Sequence, residues 1–443
     1  MIISLPNEVE YIIDTLESGG FEAYAVGGCV RDSLLGKTPQ DWDVCTSALP
    51  EQTQKCFENH HVIETGLKHG TVTLMLNNKP FEITTYRVDG KYKDNRRPET
   101  VKFVNVLKRD LARRDFSINA MAYNPKTGIV DYYDGQQDLA DGKIKTVGNP
   151  NKRFSEDALR IMRAVRFASQ FGYEIEENTK IAMIENRKLL DNIASERIRE
   201  ELNKILLGDN VFGVLSSNMD ILTQIIPELE RCIGFEQNSP YHCYDVLEHA
   251  LRSVDAAPKN LVIRLTMIFH DIAKPLRYSE SDDGVGHFYG HAKESEAIAR
   301  DVLNRLKYDN ETTKAVTQLV LYHDADILPE QKYIKRWLNK IGEDRLRELL
   351  VAKRADTMAK TESCQQKEYD GLDKISQLID EIIEQQQCFS LKDLAVNGRD
   401  LIDAGIAEGA QIGDILKKLV DMVIDEEVQN DKDILLSTAK TMI

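Results

Sequence analysis

An α/β head followed by an all-helical remainder is the architecture that this 443-residue chain predicts. Short β-like runs are confined to about the first 150 residues, and after Pro150 the apolar spacing turns almost wholly helical. The length exceeds one ordinary core, so roughly two to four domains are expected.

Within the head, a helix is expected over Glu8–Ser18, then β-like runs at Phe21–Val26, Asp41–Cys45, Thr71–Leu76 and Phe81–Val88. Gly27-Gly28 interrupts the chain before a helix over Cys29–Leu35, and turns at Gly128 and Gly135 close the unit. Beyond Pro150, Phe154–Ala168 reads as one helix. Ser155 suits its N-cap, Leu159, Met162, Val165 and Ala168 trace an apolar stripe, and Gly172 can stop it. Ile193–Leu207 reads as a further helix. Polar crowding near Gly234–Pro240 and Glu362–Glu368 divides the rest, giving expected domains of 1–150 (head), 151–235 (helical neck), 236–365 and 366–443 (tail). In the tail, glycines 405, 409 and 413 precede a helix, a pattern open to either RNA-phosphate contact or helix-hairpin packing.

Hydrophobic content of 42% supports globular folding, and a net charge of −16 argues against indiscriminate coating of nucleic acid. Between Tyr86 and Phe116, however, ten Lys or Arg face five acids. Arg153, Arg160, Arg163 and Arg166 continue that basic character, which suits phosphates of a nucleotide or of RNA. The seven cysteines are scattered, with no C-x-x-C pair, so neither a disulfide framework nor a structural zinc site is indicated. The opening Met1-Ile-Ile-Ser-Leu-Pro6 lacks a leader pattern and no run approaches a membrane span, so a cytoplasmic chain without a membrane partner is expected.

Asp41-Trp42-Asp43 carries the densest chemistry. Residues i and i+2 of a strand share a face, so both carboxylates would project together, close enough to share divalent cations. Gly27 and Gly28 let backbone amides approach a polyphosphate, with Arg31 facing phosphate oxygens. Glu82, between apolar Phe81 and Ile83, is either a third carboxylate or an ordinary exposed strand acid.

Gly-Gly, then Asp-x-Asp, then an apolar-flanked acid resembles the DNA polymerase beta-like nucleotidyltransferases. More narrowly, Gly27–Gly36 with Asp41 and Asp43 resembles the bacterial and eukaryotic type of CCA-adding tRNA nucleotidyltransferase. That resemblance implies a polymerase beta-like head with a helical neck, body and tail. It also implies Mg²⁺ on Asp41 and Asp43, and tRNA, CTP and ATP as partners. Glu156-Asp157-x-x-Arg160 matches the family's base-reading motif, in which Asp157 and Arg160 touch the base and Glu156 orients Arg160. Arg113–Ala120 is similar to its sugar and phosphate motif, placing Arg114, Asp115 and Asn119 on the nucleotide, with Arg163 grouped beside them. Asp89–Pro98 resembles its flexible loop, associated with the terminal A. Addition of A alone, or of poly(A), uses the same carboxylates and stays open.

The base reader also has a chemical rationale. Adenine and cytosine present an exocyclic amine beside a ring-nitrogen acceptor, whereas guanine and uracil reverse that order. An Asp157 acceptor with Arg160 donors therefore matches A and C, and each unpaired buried group against G or U costs about 1–3 kcal/mol.

Six of the nine histidines lie between 242 and 323. His249, His270-Asp271, His291, His323 and Asp356 follow the order of the HD metal phosphohydrolases, with His242, His287 and Asp324 nearby. The resemblance implies a divalent transition metal on an HD domain over 236–365, either hydrolysing phosphomonoesters or 2′,3′-cyclic phosphates or serving structure alone. A chain that is mainly such a phosphohydrolase with an RNA-binding head is the alternative of another class.

Overall fold

The computed structural model describes every residue except 1, 65, 91, 93, 94, 96–99 and 443. Most of the expected flexible loop, including Lys91, Lys93, Arg96 and Arg97, therefore lies outside the described residues. The chain divides into two compact units, Met1–Pro227 and Glu228–Ile443.

The first unit begins with the helix Asn7–Ser18, which buries Val9, Ile12, Ile13 and Leu16. Its first nine strands are β1 (Ala23–Val26), β2 (Asp43–Thr46), β3 (His61–Ile63), β4 (Thr71–Leu76), β5 (Lys79–Thr85), β6 (Arg87–Asp89), β7 (Val101–Phe103), β8 (Met121–Asn124) and β9 (Gly128–Asp131). Seven of them form one mixed sheet in the order β3-β4-β5-β2-β1-β8-β9, while β6 and β7 pair separately. Only β2 and β5 run parallel within it, with Asp43 opposite Glu82. Val26, Cys45, Tyr86, Leu111 and Ala120 form a core cluster of this head.

Three details differ from the sequence expectation. Strand β2 starts at Asp43, so Asp41 precedes the strand instead of sharing it. Gly135 opens a short helix, Gly135–Ala140, after Asp134 has made the left-handed turn at φ 60°. The single helix expected over Phe154–Ala168 is two helices, Pro150–Glu156 and Leu159–Phe171.

The break has a local cause. Asn149 caps the first helix by accepting from Lys152 N at 3.0 Å, while Ser155 only bonds back to the Lys152 carbonyl. Asp157 is extended, at φ −137° and ψ 102°, and its Oδ1 accepts from Leu159 N at 3.2 Å. That side-chain bond offers the backbone an alternative to helix. Gly172 ends the second helix in the left-handed region, at φ 68°. The buried face of Leu159–Phe171 packs on Ser195–Leu206, where Arg166 pairs with Glu201 and Ser169 Oγ bonds the Ile205 carbonyl.

The second unit is almost wholly helical. Val246–Ala256, Leu261–Phe269, His291–Arg305, Asn310–Tyr322 and Glu343–Met358 surround a buried polar centre. The helix Glu362–Glu384 runs through the expected division at 365/366, and Glu368 ties it back to Thr357 and Lys360. The last helices, Gly398–Asp403, Ala410–Ile424 and Lys432–Lys440, enclose their own core of Leu401, Leu419 and Leu435. No helix among the described residues is long and apolar enough to cross a membrane.

Candidate functional site

A cleft of about 790 Å³ opens in the head along one end of β1 and β2. Gly27, Gly28, Arg31, Asp41, Asp43, Arg114, Asp115, Asn119 and Arg163 all line it. Gly27 has φ +86°, and a Cβ there would sit 2.8 Å from Arg114 Nη1. Glycine is thus required twice, for the turn and for the close approach of a cation.

The cations around the cleft are held in place from behind. Arg31 donates to Asn119 Oδ1 at 2.6 Å and to Asp32 at 2.9 Å, and lies over the rings of Phe167 and Phe171 at 5.2 and 4.9 Å. Arg163 donates to Asp115 Oδ2 through Nε at 2.8 Å, and Asn119 Nδ2 donates to Asp115 Oδ1 at 3.1 Å. Burial works against the charge of Asp115, but Arg163, Asn119 and Arg160 hold it well below the usual carboxylate range.

Asp41 and Asp43 both face this cleft although only Asp43 is in the strand. Partial desolvation pushes Asp43 above the usual range, Arg114 opposes this, and Glu82 and Asp41 add to the rise. A group of mutually repelling carboxylates of this kind matches the hard oxygen donors that Mg²⁺ takes.

Asp157 and Arg160 do not line the cleft: Arg160 stands one turn before Arg163, and Asp157 precedes the helix that carries both. Arg160 is buried, donating to the carbonyls of Arg153 at 3.2 Å and Arg113 at 3.0 Å and pairing with Glu156 at 3.2 Å. Glu156 thus lies against Arg160, paired with its Nη1. Asp157 and Arg160 do not share a helical face, because Asp157 sits in the break. Lys37, Arg166, Phe167 and Phe171 also line the cleft.

A second constellation lies in the other unit. His249, His270, Asp271, His291, His323 and Asp356 are all buried and converge. His249 Nε2 is 2.9 Å from Asp356 Oδ1, and His270 Nε2 is 3.1 Å from Asp271 Oδ2. The other oxygen of Asp271 lies 3.2 Å from His291 Nε2 and 3.4 Å from His323 Nε2. Each imidazole spends Nδ1 on a backbone carbonyl: Ala359 for His249, Met267 for His270, Phe288 for His291 and Val320 for His323. That anchoring turns four Nε2 lone pairs inward, an outer-shell arrangement expected of metal-ligating histidines. Burial lowers His270, but Asp271 and Asp356 override it and raise the imidazole to about 10, so this pocket draws in positive charge. His242 also approaches, 3.4 Å from Lys274 Nζ, while His287 lies out on a small hairpin.

Comparison with known proteins follows the same division. Residues 23–145 match the poly A polymerase head domain, 172–233 an RNA and SrmB binding region of polymerase A, and 279–439 tRNA nucleotidyltransferase domain 2. Over 458 residues the chain is 32% identical to the CCA-adding enzyme of Ligilactobacillus salivarius, covering 100% of this chain and 99% of that protein. Its fold is similar to the crystal structure of the Bacillus stearothermophilus CCA-adding enzyme in complex with CTP, with TM-score 0.71, 28% identity, and 98% and 96% of the two chains covered. At 19% identity, the Thermotoga maritima CCA-adding enzyme complexed with tRNA-CCA shares the fold, with TM-score 0.64 over 100% of this chain and 97% of that one.

Proposed function

This chain belongs to the CCA-adding enzymes, which are tRNA nucleotidyltransferases, and from that premise we propose how its residues divide the reaction. It extends the 3′ end of tRNA with CCA from CTP and ATP, without a nucleic-acid template, releasing pyrophosphate.

The observation that carries the assignment of roles is the cleft that brings Asp41 and Asp43 together with Arg31, Arg114 and Arg163. Asp41 and Asp43, supported by Glu82, would hold Mg²⁺, which supplies activation of the attacking hydroxyl and charge neutralisation at the leaving pyrophosphate. Phosphoryl transfer otherwise asks the protein for position and charge. Gly27 and Gly28 admit the triphosphate close to the backbone, Arg31 and Arg114 face its oxygens, and the Asp115–Asn119–Arg163 network fixes the wall against which nucleotide and ribose rest. Asp157 and Arg160 read the Watson–Crick edge, one accepting and the other donating, with Glu156 keeping Arg160 in place. We place the enzyme in the cytoplasm, with its substrate.

Purified protein offered tRNAs lacking CCA, CA or A, with each nucleoside triphosphate separately, tests this reading. Sequential incorporation of C, C and A that stops after A is expected. Runs of A would instead favour a poly(A) polymerase, and full incorporation by Asp41→Ala would remove the proposed catalytic centre.

A second activity is favoured by the inward-facing imidazoles of the helical unit. His249, His270, Asp271, His291, His323 and Asp356 fit a divalent transition metal, which would polarise a phosphate ester and activate water. Hydrolysis of a phosphomonoester or 2′,3′-cyclic phosphate that disappears in His270→Ala, while tRNA extension persists, supports it. Absence of turnover with several metals would leave the cluster a structural role.

A further inference from the structure

The break at Asp157 exposes a partner for the base reader that the motif alone does not contain. Arg197, from the first turn of the helix Ser195–Leu206, brings its Nη2 to 3.8 Å from Asp157 Oδ2. The other carboxylate oxygen, Oδ1, is held by the Leu159 amide at 3.2 Å. The remaining cations that face Asp157, Arg160 and Arg163 from the helix Leu159–Phe171, are committed elsewhere, to Glu156 with two carbonyls and to Asp115. On Asp157's own segment, Glu156 is neutralised by Arg153 and Arg160. Arg197, by contrast, pairs with Asp157 alone among the described carboxylates, and its Nη1 is buried without a hydrogen-bond partner.

We propose that Arg197 is a specificity-determining residue, a positioning group that holds the Asp157 carboxylate as an acceptor-only partner for the exocyclic amine of cytosine or adenine. This rests on the reading of Asp157 as a base-contacting residue. The chemistry is asymmetric. An ionised Asp157 accepts and cannot donate, so it pairs with the N4 amine of cytosine or the N6 amine of adenine and leaves O4 of uracil or O6 of guanine facing a lone pair. A protonated Asp157 donates, and thereby matches O4 of uracil or O6 of guanine, leaving only the ring N–H opposed by Arg160 to discriminate against them. Fidelity therefore depends on keeping this half-buried acid ionised. Burial pushes Asp157 above the usual carboxylate range, and Arg197 is the foremost group opposing that rise, ahead of Arg160 and Arg163. Arg197 thus touches no base in this scheme, yet sets which bases are accepted.

The test compares single-turnover kcat/KM for CTP and for UTP on tRNA lacking CCA, at roughly pH 6 and roughly pH 8, for the full-length wild type, Arg197→Gln, Arg197→Lys and Asp157→Asn. In Arg197→Gln the preference for CTP is expected to fall about tenfold at the lower pH and to recover toward the higher one, the sign required if proton uptake by Asp157 admits uracil. Arg197→Lys keeps a cation at shorter reach and is expected to show a smaller loss of the same sign, which also decides the matter if Arg197→Gln does not fold. A CTP preference that stays at the wild-type value at both pH values in the folded variants overturns the proposal. So does an equal loss of rate with CTP and UTP, since that marks a structural role. Asp157→Asn, whose uncharged amide offers a donor as well as an acceptor and does not titrate, is expected to lose most of the preference, equally at both pH values. If it does not, the base-reading assignment fails, separately from the role of Arg197.

Discussion

Asp43 of β2 stands directly beside Glu82 of β5 in the one parallel pairing of the head sheet. In-register neighbours on parallel strands share a face, so the two carboxylates flank one another and Glu82 helps raise Asp43. Glu82 is therefore expected to act as a third carboxylate of the metal centre. Glu82→Gln should raise the Mg²⁺ concentration needed for half-maximal CTP incorporation by about 10-fold, with most of the rate restored at saturating metal. Asp43→Asn should not be rescued in that way. A Mg²⁺ titration of initial rates separates the two outcomes.

Asp115 and Arg163 give a stability prediction with a definite sign. Asp115 is buried and its carboxyl is held well below the usual range, so the folded state binds its proton more weakly than the unfolded chain does. The stabilisation is present above the unfolded carboxylate pKa, about 4, and is lost as pH falls through the folded value. Removing the cation alone, in Arg163→Met, leaves a buried carboxylate uncompensated and should cost about 3 kcal/mol near neutral pH, the lower end for a broken buried pair because Arg163 is part-exposed. Denaturant unfolding at neutral and acid pH checks this: the Arg163→Met deficit should shrink on acidification. A deficit that grows as pH falls would contradict the sign.

Some residues that converge in the cleft and in the buried cluster could be picked out because they sit at short, fixed spacings: Gly27-Gly28, Asp41 with Asp43, His270-Asp271. What was hidden depends on long-range or one-off local effects. Phe167 and Phe171 are distant from Arg31 in the chain, and only the fold brings its guanidinium over their rings. The apolar stripe of Leu159–Phe171 gives no hint of the stop at Asp157, since the interruption comes from one side-chain bond to the Leu159 amide. Strand Met121–Asn124 is buried at every position, so it lacks the alternation by which an exposed strand is recognised. Arg197 emerges only in the structure, where it packs against a break the sequence did not announce.

Gly27 gives a prediction about nucleotide affinity. With φ +86° and an added Cβ only 2.8 Å from Arg114 Nη1, alanine there strains the turn and displaces a guanidinium from the cleft. Gly27→Ala should raise KM for both CTP and ATP about 10-fold or more, because the lost contact is to the shared triphosphate and not to the base. The CTP-to-ATP preference at each step should be unchanged. Steady-state kinetics with both nucleotides measure it, and a change confined to one nucleotide would place Gly27 in base recognition instead.

Metal binding at the helical unit should be visible without any assumption about substrate. Four Nε2 atoms and one oxygen of Asp271 face one another in a buried space, an arrangement that is repulsive unless a proton or a cation sits among them. The raised His270 imidazole shows the proton solution. A divalent transition metal that replaces it and binds only the folded site should, at 100 times its Kd, stabilise the unit by about 2.7 kcal/mol. Thermal unfolding of chelator-treated protein with added Mn²⁺, Co²⁺ or Ni²⁺ is the measurement. His270→Ala should abolish the shift while the nucleotide-dependent shift of the head persists, and an equal metal shift in wild type and variant would mean that the ion sits elsewhere. Protonation competes with the metal for the same lone pairs, so the metal-induced shift should shrink as pH falls. A shift that grows on acidification would point to carboxylate-only coordination outside this cluster.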